Sequence, residues 1–207
     1  MSKKKDFERK LHALFESRTH KILSIIGKAK PGKPKDADGK AVKKKIDGLT
    51  KLAEEILIKT KAKKEFDRLL KGRKQKQIYI DKSKGISIAK KKKEFTEKYN
   101  KYIKNPNCVY AFWDAKDPKN KKCIYVGRTT IGAERPASHF EKRWFPQVTY
   151  VNLYPNPKSH LAKLECLATH LFNPVKKEKK PANKKYWQGC PVCEGVEYIR
   201  EELSKIF

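Results

Sequence analysis

The segment CVYAFWDAKDPKNKKCIYVGRT, from Cys108 to Thr129, is two short apolar runs joined by a charged turn. Each run is rich in aromatic and β-branched residues and is too short for a helix, which predicts the two strands of a hairpin. Only 38% of the 207 residues are hydrophobic and 36% are charged. A chain so composed can build one compact core, but not a large one. Tyr110 and Tyr125 sit in the middle of the two strands, and Gly127 and Arg128 follow the second tyrosine.

The rest of the chain reads outward from the hairpin. The turn KNPN (104–107) precedes it and marks a change of composition, with lysine thinning and Tyr, Trp and Val rising. GAERPASHFEKRW (132–144) reads as a helix start with Pro136 in the first turn. QVTYVNLY (147–154) reads as a third strand. NPKSHLAKLECLATHLFNP (156–174) reads as a helix with Ser159 as N-cap and Pro174 as its stop, and EGVEYIREELSKIF (194–207) as a closing helix. The expected class is α+β, a small three-stranded antiparallel sheet flanked by helices, behind a basic helical N-terminal region. In that region residues 3–27 repeat Phe7, Leu11, Leu14, Phe15, Ile22, Ile25 and Ile26 at helical spacing, and KPGKPKDADGKA (30–41) breaks the helix. Residues 42–72 read as helical again, with Leu49, Leu52, Ile56, Phe66, Leu69 and Leu70 apolar. Residues 72–95 read as a short strand, a turn and a basic helix running to about Ile103. The expected domains are 1–105, 106–185 and a C-terminal turn and helix over 186–207.

Charge narrows the partner. Residues 1–105 hold 34 Lys and Arg against 13 Asp and Glu, a net +21, and residues 106–207 hold 18 against 10, a net +8. Positive charge on this scale opposes compaction, and a polyanion that sheds counterions on binding relieves it. Nucleic acid is the partner this favours, over a merely soluble lysine coat. A membrane is disfavoured, because no stretch of about 18 apolar residues occurs and no basic helix carries a broad apolar face. The N-terminus MSKKKDFERK lacks the apolar core of a secretory signal. Five cysteines in a chain read as cytoplasmic are expected to be reduced thiols rather than disulfides.

The stretch from about 106 to 185 resembles the GIY-YIG nuclease family. CVY (108–110) and YVG (125–127) stand where the two namesake motifs would be. The family's arginine ten residues after the second motif tyrosine matches Arg135, its His or Tyr four later matches His139, and its basic residue after the motif glycine matches Arg128. Its helix glutamate matches Glu165, and the proline nine residues beyond matches Pro174. Two positions depart. Cys108 replaces the first motif glycine, and Lys177 stands where an asparagine is often found. Asn173 and Asn183 lie to either side, and Asn183 is the one assigned, through a short basic insertion.

The resemblance implies a DNA endonuclease of the restriction, homing or repair type, with RNA as the other substrate class and a homodimer among the assemblies that fit. It implies that Glu165 holds Mg²⁺ or Mn²⁺, that Arg128 and Arg135 hold the scissile phosphate, and that Tyr110, Tyr125 and His139 handle water and protons. The residues themselves are consistent with one hydrated metal, since Glu165 is alone among carboxylates on its helix and Mg²⁺ keeps several waters. On a helical wheel Glu165 falls at the edge of the stripe formed by Leu161, Leu164, Leu167, Ala168, Leu171 and Phe172. A half-buried carboxylate there needs a partner, either a metal or a basic side chain. A tyrosine near its ordinary pKa of about 10 is a weak base unless cations lower it. Read one at a time, each of these residues has a plainer structural role, the tyrosines as core and the arginines as solvated surface. CPVC (190–193) is a lone pair of cysteines at a turn at Pro191, and a structural zinc would need Cys166, His160 or His170 brought in by the fold. Reduced cysteines are the default there. The rival classes are a non-catalytic nucleic-acid-binding protein and a zinc-stabilised RNA-binding module.

Overall fold

The computed structural model describes residues 39–83, 85–115, 120–176 and 189–206. The helix expected over 3–27, residues 30–38 of the break after it, and Asn183 lie outside them, and the last three residues of the expected break, 39–41, are helical instead. The described residues fall into two compact units, 39–64 with 189–206, and 65–176.

The described residues of the first unit form a helix pair. Helix α1 spans Gly39–Leu57 and runs through a π-helical stretch, Ile58–Ala62, in which Thr60 returns its hydroxyl to the Ile56 carbonyl at 2.9 Å. The last helix of the chain, α6 (Pro191–Ile206), packs on α1. Their shared core is Leu49, Ala53, Ile56 and Leu57 from α1 with Val192, Ile199 and Leu203 from α6. Those α6 positions fall on one helix face, and Gly195 completes it. A Cβ on Gly195 would lie 2.7 Å from Leu57 Cδ1, so the glycine sets how closely the two helices approach.

The second unit is built on a four-stranded antiparallel sheet: β1 (Lys76–Tyr79), β2 (Cys108–Asp114), β3 (Lys122–Thr129) and β4 (Tyr150–Pro155), in the order β1-β4-β2-β3. The hairpin is therefore β2–β3, with Tyr110 opposite Gly127 and Phe112 opposite Tyr125. The sheet has one strand more than the sequence reading counted, because β1 pairs with β4 and extends it. β2 lies between β4 and β3, and Cys108 to Phe112 are all buried.

One face of the sheet packs on α3 (Ile88–Tyr102) and the loop elements after β3. There Phe95, Tyr99 and Ile103 meet Cys108, Tyr110, Phe112, Val151 and Leu153. The other face packs on α5 (Lys158–Phe172) through Leu161, Leu164, Leu167 and Ala168. Helix α2 (Lys63–Leu70) adds Phe66, whose ring meets Tyr154 and Phe172 edge-on, and Asn156 caps it by donating to the Leu69 carbonyl at 2.9 Å.

Two local readings are corrected. Pro157, not Ser159, occupies the N-cap of α5, and Ser159 lies within the first turn. The helix expected over 132–144 is only α4 (Glu134–Ala137), followed by two 3₁₀ turns, Ser138–Glu141 and Phe145–Gln147. Phe140 and Phe145 stack with centroids 4.0 Å apart. Residues five apart on an α-helix point in different directions, so this stack needs the helix to end. The fourth strand accordingly starts at Tyr150 rather than at Gln147.

Candidate active site

The hairpin's geometry explains its motif. Tyr110 faces Gly127 across the β2–β3 pair, and its ring fills the space a side chain at 127 would take. A Cβ there would lie 2.7 Å from both Tyr110 Oη and Tyr125 Cε1. Glycine is needed for close approach, not for a positive φ. Cys108, in place of the first motif glycine, is tolerated because β2 is regular there. Burial pushes its thiol up to about 12, and that of Cys123 likewise, so both are inert.

Three of the expected site residues come together. The Tyr110 hydroxyl and His139 Nε2 are hydrogen-bonded at 3.0 Å, and the rings of Tyr125 and His139 have centroids 4.6 Å apart. Trp144 stacks on Tyr125 at 5.6 Å and Phe112 meets His139 edge-on, so an aromatic box encloses the imidazole. Neither residue stood out in the sequence, although Trp144 lies five positions after His139. All three expected residues are deeply placed: Tyr110 is 0% exposed, Tyr125 5% and His139 5%.

Arg128 and Glu165 form a second group. Arg128 Nε lies 3.4 Å from Glu165 Oε2, and each side chain is 27% exposed. Strand alternation places them away from the tyrosines, since Tyr125 and Gly127 point to one face of β3 and Val126 and Arg128 to the other. Arg135 is exposed on α4 while His139 is buried. Four apart, the two would share a face of a continuous α-helix, but the α-turn tightens to 3₁₀ at Ser138 and separates them. Asn173 closes α5 in the left-handed conformation at φ 43°, a helix-ending role that asparagine tolerates well.

A separate set of ligands gathers sulfur and nitrogen. The ligand atoms of Cys166, His170, Cys190 and Cys193 all lie within 4.8 Å of one another, and these residues could hold a metal ion such as zinc. Cys166 and His170 are four apart on α5 and share a face of it, a signal the sequence carries. No helix among the described residues is long and apolar enough to cross a membrane. Searches of protein-family models, of curated proteins and of solved structures give no match to this chain.

Proposed function

We propose that this protein is a divalent-metal-dependent endonuclease of GIY-YIG type that hydrolyses DNA phosphodiester bonds, in a restriction or other defence role. The observation that carries the reading is the half-exposed Arg128–Glu165 pair, a carboxylate and a guanidinium brought together at 3.4 Å from a strand and a helix. A polyanion can reach both groups. One carboxylate is a donor set that suits Mg²⁺ or Mn²⁺ keeping most of its waters. Glu165 would hold that ion, whose charge would serve phosphodiester hydrolysis. Arg128 is released from Glu165 to hold a phosphate oxygen, which a guanidinium does with paired hydrogen bonds. Exposed Arg135 supplies a further phosphate contact. The Tyr110–His139 hydrogen bond, with Tyr125 packed against the imidazole, lies on the other face of β3 from this pair, so these residues support the strand that carries Arg128 rather than touch the phosphate. The net charge of +29 supports the polyanionic substrate.

The burial of Tyr110, Tyr125 and His139 favours a second reading, a nucleic-acid-binding protein in which they serve as core. Cleavage of supercoiled plasmid and of single-stranded DNA, with Mg²⁺, Mn²⁺ or EDTA, separates the two. Wild type should cut only with metal, and Glu165→Ala should bind the same DNA without cutting it. Tight binding with no cutting by wild type selects the binding protein. Equal cutting by both proteins removes Glu165 from the site.

A further inference from the structure

We infer that Cys166, His170, Cys190 and Cys193 form a structural zinc site of three thiolates and one imidazole, independent of the nuclease reading. Two sequence patterns supply the ligands, an i, i+4 Cys–His pair on α5 and a Cys-x-x-Cys turn opening α6. A tetrahedral zinc at about 2.3 Å from sulfur holds its ligand atoms about 3.8 Å apart. Four ligand atoms within 4.8 Å of one another need only a small contraction to reach that geometry.

The donor set selects the ion. Three sulfurs and a nitrogen suit zinc and offer nothing to the oxygen-seeking Mg²⁺. A two-iron cluster would distribute the ligands over two metal centres, which four atoms this close do not match. Four protein ligands complete the tetrahedron and leave no open position for water or substrate, so the ion is structural, not catalytic. The backbone is arranged to match. Gly189 has φ +81°, Pro191 is the first residue of α6, and the Glu194 amide bonds back to the Cys190 carbonyl at 3.0 Å. Cys190 and Cys193 thus lie at the N-terminal end of α6, where the helix dipole favours thiolate. Cys166 and Cys190 are buried, which shields the bonds from exchange.

Metal analysis of the purified full-length chain tests this. We expect about one zinc per chain to survive desalting, as four-ligand structural sites do. Cobalt in its place should give the intense thiolate-to-metal absorption and d–d bands of a tetrahedral site. Cys166→Ser and Cys193→Ser should each lose most of the metal, and Cys123→Ser should keep it. His170→Cys should retain zinc and move the cobalt bands toward those of an all-sulfur site. That last variant keeps the test decisive where serine variants fail to fold. Folded wild type with no stoichiometric zinc and no tetrahedral cobalt spectrum overturns the inference. So does full zinc occupancy in a folded Cys166→Ser/Cys193→Ser double variant.

Discussion

Gly127 is a residue whose identity is set by its neighbours' side chains. With Tyr110 0% exposed and Tyr125 5% exposed, neither ring can swing away from a new Cβ placed 2.7 Å from it. Gly127→Ala should therefore lower stability by about 1–3 kcal/mol, the cost of overpacking a filled core, read as a lower midpoint in urea with an unchanged m-value. An unchanged midpoint would show that the hairpin is looser than this packing implies. The half-burial of Glu165 was legible in the sequence because helical periodicity is local, and its side chain is indeed 27% exposed. The depth of the two tyrosines was not. Their strands could be read from residue pattern, but burial depends on what α3 and the turns after β3 bring over them from elsewhere in the chain.

Single elements are held by contacts of the same specificity. Glu65, in the first turn of α2, accepts two hydrogen bonds from Arg68, at 2.6 and 2.8 Å, and a third from Lys163 of α5 at 2.5 Å. The Arg68 hydrogen bonds pull its carboxyl down to about 2 against the opposing effect of burial, with Lys163 adding to the pull. The unfolded chain binds more protons at this group between its ordinary value of about 4.5 and about 2, so the stability it contributes is complete above that window and is lost as pH falls through it. Glu65→Gln should cost about 1 kcal/mol at neutral pH. The gap in melting temperature between wild type and variant should close as pH falls through this window, and a gap that stays constant would assign the effect to packing. On the other unit, Gly195→Val places side-chain atoms against Leu57, which is 0% exposed, and should loosen the α1–α6 pair by about 1–3 kcal/mol. The helices and the β2–β3 hairpin were readable because each is coded by its own residues. β1 read as a short strand but was not counted in the sheet, since its four residues acquire their place there through β4, more than 70 positions away. The end of α4 was hidden because no proline or glycine stands there: the chain tightens into a 3₁₀ turn at Ser138, and Phe140 and Phe145 stack beyond it.

At the scale of the whole molecule, charge and metal lead to two separable outcomes. Binding to DNA should weaken steeply with salt, since a protein neutralising roughly 6–10 phosphates loses on the order of 10³–10⁵ in affinity between 50 and 200 mM. Arg128→Ala should reduce the slope of log K against log salt by about one unit, as expected when one phosphate contact is removed. Glu165→Ala should leave that slope nearly unchanged, because its carboxylate neutralises no phosphate. The two proposed metals differ in hardness and would differ in how tightly they are held. An ion on one carboxylate and several waters exchanges readily, whereas an ion enclosed by three sulfurs and an imidazole leaves slowly and takes folding free energy with it. Brief EDTA treatment should therefore abolish cleavage in a way that added Mg²⁺ fully reverses, with no change in melting temperature. Prolonged treatment should lower the melting temperature and leave a loss that Mg²⁺ does not restore but Zn²⁺ with Mg²⁺ does. Following cleavage and melting temperature against EDTA exposure time checks both at once. Loss of both on a single timescale, recovered by Mg²⁺ alone, would mean that one weakly held ion accounts for everything and that the sulfur site binds no structural metal.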